Sequence, residues 1–155
     1  MSRRKISGFQ YGKRKLLDQG QGSVVYSKIN MYSHADTIVC VSKCIVMDFT
    51  SKKCDAGPYS NTYKTLKSVP IVQVATAYNN PDTGETTIQI LDEAIWVGDI
   101  MDHTLVNPNQ LCAYRMIVQE NRFAEAPIFI ATEDHDFILI LPSKGTILGV
   151  TTRSR

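Results

Sequence analysis

No apolar run in this 155-residue chain approaches the roughly 20 residues that a membrane helix needs. The first ten residues, MSRRKISGFQ, are charged but have no apolar stretch behind them, so a secretory signal is not expected. Cysteine is scarce: Cys40, Cys44, Cys54 and Cys112 are the four. Without a signal they are expected as reduced thiols in an intracellular, cytoplasmic setting, not as a disulfide framework. The charge excess is small as well. A net +2 does not by itself argue for a nucleic-acid partner. No internal repeat of the solenoid kind is visible. The single tryptophan, Trp96 in EAIWVG, reads as a core residue.

What is present is enough apolar matter for a real core, at 43% hydrophobic against 21% charged residues, in a chain of one-domain length. The charges are unevenly placed. Residues 1–20 hold six cations against one acid, leaving eleven cations against fourteen acids in the rest. Residues 1–22 therefore read as a basic, flexible lead-in, with KRK and GQG, ahead of a mildly acidic domain over 23–155. A nucleic-acid contact, if there is one, is expected only through this arm, and its commoner meaning is a linker.

From Ser23 the texture changes. SVVYSKINMY, DTIVCVSKCIVMDF, VPIVQVATAY, TTIQILDEAIWVG, APIFIATE and DFILILPSKGTILGVTT are short stretches rich in Val, Ile, Thr and aromatics, punctuated by Gly, Pro, Asn and Asp. That pattern predicts an all-β fold. The clearest hairpin spans 69–98 around NNPDTGE, where Pro81 can pre-set φ and Gly84 can take φ > 0. Thr86, Ile88, Ile90 and Thr87, Gln89, Leu91 alternate only partly, which predicts a strand covered on both faces. NPNQLCAYRMIV is the exception. Asn107 is a helix cap, Pro108 suits the first helical position, and Leu111, Tyr114 and Ile117 or Val118 share a stripe. A helix of two or three turns feeding a strand is predicted there. The residues alone support a small β-barrel or an orthogonal β-sandwich with one helix near its far end.

One loop stands out. In INMYSHADTIVCV an apolar strand runs into Tyr32, Ser33, His34, Ala35 and Asp36, and a second apolar strand follows. This resembles the Asp-Thr/Ser-Gly-Ala-Asp loop of retropepsin-type aspartic proteases. A second match lies downstream: Leu105 and Val106 as an apolar pair, Asn107 for Gly, Asn109 in the Asn/Asp place, and Leu111 in the following helix. The hairpin between the two motifs sits where such proteases carry a flap, which here would be Asn79, Asn80, Pro81, Asp82 and Gly84. Over roughly 26–150 the sequence resembles the protease region of Copia-type retrotransposon polyproteins. The chain's end at TTRSR, with no integrase or reverse transcriptase after it, reads as that of a fragment.

The resemblance implies a small closed β-barrel, core about 26–120 with extra strands over 121–150, and one short helix toward the C-terminal half. It implies no cofactor and no metal. It also implies a homodimer that cleaves its own polyprotein, or a peptide, with one Asp from each chain sharing a proton across the two-fold axis. The Ser33 hydroxyl would tie the two loops together, and Asp36 would hold substrate main chain. Two positions depart from the motif. Tyr32 stands in the place of the catalytic Asp, one base change away. A phenol is not a general base at neutral pH and cannot share a proton as a carboxylate pair does. His34 stands in the place of Gly, as it does in relatives with Asp-Ser-His-Ala-Asp. A third departure is Arg115, where the family has Gly between helix and strand; if that position needs φ > 0, Arg is strained there. The expectation is an inactive protease domain, or alternatively a peptide-binding or dimerising β module.

Blander readings stand beside these. Asp36 is equally well a turn residue capping local N–H groups. In another register Asp36 and Thr37 would form the Asp-Thr pair, but Ile38 would then replace Gly, and its branched Cβ resists a tight loop. His34, Cys40, Cys44 and Cys54 do not make a clean zinc pattern. TEDHDF reads as a solvated turn.

Overall fold

The computed structural model describes residues 4–6, 9–14, 25–57, 62, 64–144 and 147–153. The fold is all-β with one short helix. Strands β1 (Arg4–Ile6) and β2 (Phe9–Arg14) precede β3 (Tyr26–Met31), β4 (Val39–Val41) and β5 (Ile45–Ala56). The long hairpin is β6 (Leu66–Asn79) and β7 (Thr86–Gly98). After β8 (Thr104–Val106) come α1 (Pro108–Ala113), β9 (Ile117–Gln119), β10 (Phe129–Ala131), β11 (Ile138–Ile140), β12 (Ser143–Lys144) and β13 (Ile147–Arg153). No helix among the described residues is long and apolar enough to cross a membrane.

The main sheet runs β1-β2-β7-β4-β8-β3-β13-β6-β5, and β6 also pairs β7. The pairings β7–β4–β8–β3–β13–β6–β7 therefore return to their start. Two of these joins are thin: Val39 with Leu105, and Arg153 with Ala77. β9, β10 and β11 form a separate three-stranded sheet. One apolar cluster serves both sheets. Ile29, Val74, Leu91, Val106 and Leu111 meet Ile130, Phe137 and Leu139 in it.

Within the segment 1–22, read from the sequence as a flexible lead-in, the described residues 4–6 and 9–14 form strands, and the rest lies outside the described residues. β2 pairs β7 along Phe9–Arg14, and β1 pairs β2. The reason lies in β7. Its residues 86–91 are bonded to β6 on one side, and β2 supplies partners for the N–H and C=O groups on the other. Thr86, Thr87, Gln89, Ile90 and Leu91 are all buried, so this part of β7 is covered on both faces. β13 lies between β3 and β6, and a Cβ on its Gly149 would overlap the Ile29 carbonyl oxygen and Asn30 Oδ1. Glycine is needed there because the two backbones come too close for any side chain.

The hairpin turn is built as its residues dictate. Gly84 sits at φ +68° and donates its N–H to the Asn80 carbonyl at 2.9 Å, while Asn80 Oδ1 accepts from the N–H of Asp82 at 2.9 Å. Helix α1 is shorter than the pattern predicts. Asn107 caps it, accepting the Gln110 N–H at 2.8 Å, with Pro108 at the first position. It ends in a Schellman turn: Arg115 N–H donates to the Cys112 carbonyl at 2.9 Å, and Met116 N–H to the Leu111 carbonyl at 3.0 Å. Arg115 occupies the left-handed position of that turn, at φ +62°. Buried Met116 and Leu111 supply the turn's apolar contact.

Candidate functional site

The loop 32–38 joins β3 to β4, and those two strands are not neighbours. β8 runs between them, parallel to β3 and antiparallel to β4. This threading brings the Tyr32 loop against the segment 105–111, seventy-odd residues away. Tyr32 N–H donates to the Val106 carbonyl at 3.0 Å. Asn107 Nδ2 donates to the Ala35 carbonyl. Gln110 Oε1 accepts from Thr37 Oγ1 and from Ile38 N–H, each at 2.7 Å. The Ile38 carbonyl in turn accepts the Ile95 N–H at 2.9 Å. Asn107 is 1% exposed and Ile38 0%. Thus one helix start clamps the far half of the loop through two side-chain amides, and β8 holds its near end.

The loop's own side chains face outward. Tyr32 is 46% exposed, and Ser33, His34 and Asp36 are also exposed. The Tyr32 and His34 rings meet edge to face, with centroids 5.6 Å apart and planes at 71°. They form one wall of an open groove of about 730 Å³, shared with Ser33, Leu105, His103 and Arg122. His103 Nδ1 bonds the Asp102 carboxylate beside it, and this holds the Asp102 carboxyl below its usual range. Asp36 is not among the groove's walls.

The hairpin turn does not meet this groove. Asn79, Asn80, Pro81, Asp82 and Gly84 lie elsewhere, and Asn80 shares a smaller cleft of about 230 Å³ with Tyr78, Glu85, His135, Asp136 and Phe137. That second wall belongs to the TEDHDF turn. There Thr132 Oγ1 bonds Asp134 Oδ1 at 2.7 Å, residues 133–136 are exposed, and His135 sits at φ +55°.

The cysteines do not assemble with His34. Cys40 and Cys44 are buried, and burial pushes both thiols up. Cys40 Sγ donates to the Ile95 carbonyl and Cys44 Sγ contacts Thr104 Oγ1, each at 3.4 Å. Cys54 lies apart on β5 and is half-buried. Among the described residues no group of three or more His, Cys, Asp or Glu could hold a metal ion. Trp96 is partly buried against the core and stacks edge-on with Phe49 at 6.5 Å.

Three residues that complete the loop's support were not singled out in the sequence as part of a site. Gln110 lies inside NPNQL, and Tyr114 is one helical turn beyond it, a spacing at which side chains meet. Gln110 Nε2 donates to Tyr114 Oη at 3.2 Å, and Tyr114 Oη donates to Glu93 Oε2 at 2.8 Å. Nothing in the sequence around Glu93 signals this contact. Chemically the loop presents the Tyr32 and His34 rings and the Ser33 hydroxyl at the groove, and an exposed Asp36 carboxylate that is not part of its walls. No family model, curated protein or solved structure matches the chain.

Proposed function

We propose that this chain is a degenerate retropepsin-like aspartic peptidase domain of a Copia-type retrotransposon polyprotein, inactive because Tyr32 stands where the catalytic Asp belongs. The observation that carries the reading is the interlocking of the two motifs. Loop 32–38 is held by the segment that carries the downstream motif: the Tyr32 N–H bonds the Val106 carbonyl, the Asn107 amide bonds the Ala35 carbonyl, and Gln110, which is not itself a motif residue, bonds Thr37 and Ile38. Two short matches that are far apart in sequence are more specific when the segments that carry them are hydrogen-bonded to each other. The ring of strand pairings supports the small closed barrel that the resemblance implies. The left-handed Arg115, in a place where the family has Gly, supports a chain that has drifted from its ancestor.

In an intact relative two carboxylates, one from each chain, share a proton and activate water. The test restores that group. Tyr32→Asp is expected to give pepstatin-sensitive cleavage of a designed polyprotein junction, with a dimer seen by light scattering, while the unchanged chain cleaves nothing. Cleavage by the unchanged chain would remove the inactive assignment. A Tyr32→Asp chain that folds and dimerises yet never cleaves would count against the family.

The edge strand β5 favours a second reading, a peptide-binding module that works by strand addition. Ile45, Met47 and Phe49 are exposed along it. Its bulges against β6 and its Lys52 and Lys53 blunt that edge, so this reading ranks below the first. A nucleic-acid role through residues 1–22 is tested by neutralising their cations rather than deleting them, because β2 is bonded into the sheet. Salt-dependent RNA binding unaffected by that neutralisation would end it.

A further inference from the structure

The support of loop 32–38 does not stop at Gln110. A side-chain amide can present either its oxygen or its NH₂ group to a neighbour. Ile38 N–H is a donor only, so the Gln110 oxygen must face it. The NH₂ group then faces Tyr114 Oη, which accepts. The phenol hydrogen points away from Gln110 and is taken by Glu93 Oε2 at 2.8 Å. An ionised carboxylate only accepts, so it sets the direction of the whole chain of bonds. Lys52 Nζ lies 3.3 Å from the other oxygen, Glu93 Oε1.

The backbone is shaped to make this contact. β6 and β7 pair Val72 with Ala94 and Val74 with Leu91, so Asp92 and Glu93 together oppose Gln73 alone. Glu93 is the left-handed residue of this bulge, at φ +53°. Such bulges re-aim a side chain, and holding a non-glycine residue left-handed costs free energy unless something compensates it. The bond to Tyr114, strengthened by the carboxylate's charge, provides that compensation. The Glu93 carboxyl is correspondingly held below its usual range by Tyr114 first and Lys52 second.

We propose that Glu93 and Tyr114 are positioning residues for the Tyr32 loop, acting through the orientation of the Gln110 amide. The loop is the one invoked for the proposed function, but the inference rests on its hydrogen bonds and not on proteolysis. Its readout is the exchange rate of the Ile38 amide in the otherwise unchanged chain, with the Val74 amide in the middle of β6 as the control. Tyr114→Phe removes the acceptor for Gln110, and Ile38 exchange is expected to rise by about fivefold to tenfold while Val74 is unchanged. Glu93→Ala is expected to match it. Glu93→Gln retains an acceptor oxygen and loses only an exposed ion pair, so Ile38 is expected to stay within about twofold of wild type. No change at Ile38 in Tyr114→Phe, an equal rise at Ile38 and Val74, or a Glu93→Gln variant as fast as Glu93→Ala would each overturn the proposal. Because no cleavage is measured, a Tyr32→Asp chain without activity leaves this test unaffected.

Discussion

Asn107 bonds to both halves of the site, so its removal is the sharpest test of how the two motifs support each other. Its oxygen caps α1 by accepting the Gln110 N–H at 2.8 Å, and its NH₂ group donates to the Ala35 carbonyl. Asn107→Ala loses a cap worth about 1 kcal/mol. It also strips the Ala35 carbonyl of its side-chain donor in a site where Asn107 itself is 1% exposed, a further loss of about 1–2 kcal/mol. The expected destabilisation is about 2–3 kcal/mol. For a chain of this length that lowers Tm by about 6–10 °C. A urea titration with unchanged slope reads it directly. Asn107→Asp separates the two bonds. It keeps the capping oxygen but turns a second oxygen toward the Ala35 carbonyl, so it should still lose about 1–2 kcal/mol. An Asn107→Asp chain as stable as wild type would refute the bond between the motifs. An Asn107→Ala loss under about 0.5 kcal/mol would refute both bonds.

Three further outcomes are expected. Arg115→Gly should stabilise the fold by about 1 kcal/mol, because glycine accepts the left-handed position without a Cβ clash; Arg115→Ala should give no such gain in the same melt, and equal gains would show that the backbone is not the cause. Gly149→Ala should cost about 3 kcal/mol in urea, because its Cβ meets the Ile29 carbonyl and cannot be relieved without parting β13 from β3; a loss under about 1 kcal/mol would mean that these strands give way easily. Thiol titration with a disulfide reagent should find exposed Cys112 reacting first in the native chain, and Cys40 and Cys44 only on unfolding; fast reaction of either buried thiol would contradict the packing around β4.

Much of this was legible in the residues, and the reasons differ from place to place. The hairpin of β6 and β7 follows from apolar stretches around a turn that needs Gly84, and the covered faces of β7 follow from its broken alternation. The cap at Asn107 and Pro108 was equally local. Length was not. The pattern predicts two or three turns, while α1 stops after Ala113, because the Schellman turn at Arg115 closes it early. Nor was the partner of β2. Strand pairing depends on which edge lies open elsewhere in the chain, and residues 9–14 carry no sign that β7 needs a neighbour. Glu93 was hidden for the same reason: its bulge exists only in the register between two strands. The turn of residues 79–84 resembles a flap by position in sequence alone, and where its tip lies depends on the length and twist of a hairpin. In this structure its Asn80 shares a cleft with His135.

The groups that fix loop 32–38 suggest why a site can lose its chemistry and keep its form. The Tyr32 N–H, the Ala35 carbonyl, the Thr37 hydroxyl, and the Ile38 N–H and carbonyl carry its bonds to β8, α1 and β7. All but one are main-chain atoms, and none belongs to the Tyr32 side chain. The ring contributes its edge-on contact with His34, worth at most about 1 kcal/mol, and less when half exposed. On the proposed reading, then, a carboxylate at position 32 was never part of what holds the loop, and exchanging it for a phenol met little resistance from the fold. The reverse change should be as cheap. Tyr32→Asp is expected to melt within about 1 kcal/mol of wild type. A larger loss would show that the ring has become structural, and silence in the cleavage assay would then report unfolding. With stability unchanged, the same silence would report on the chemistry.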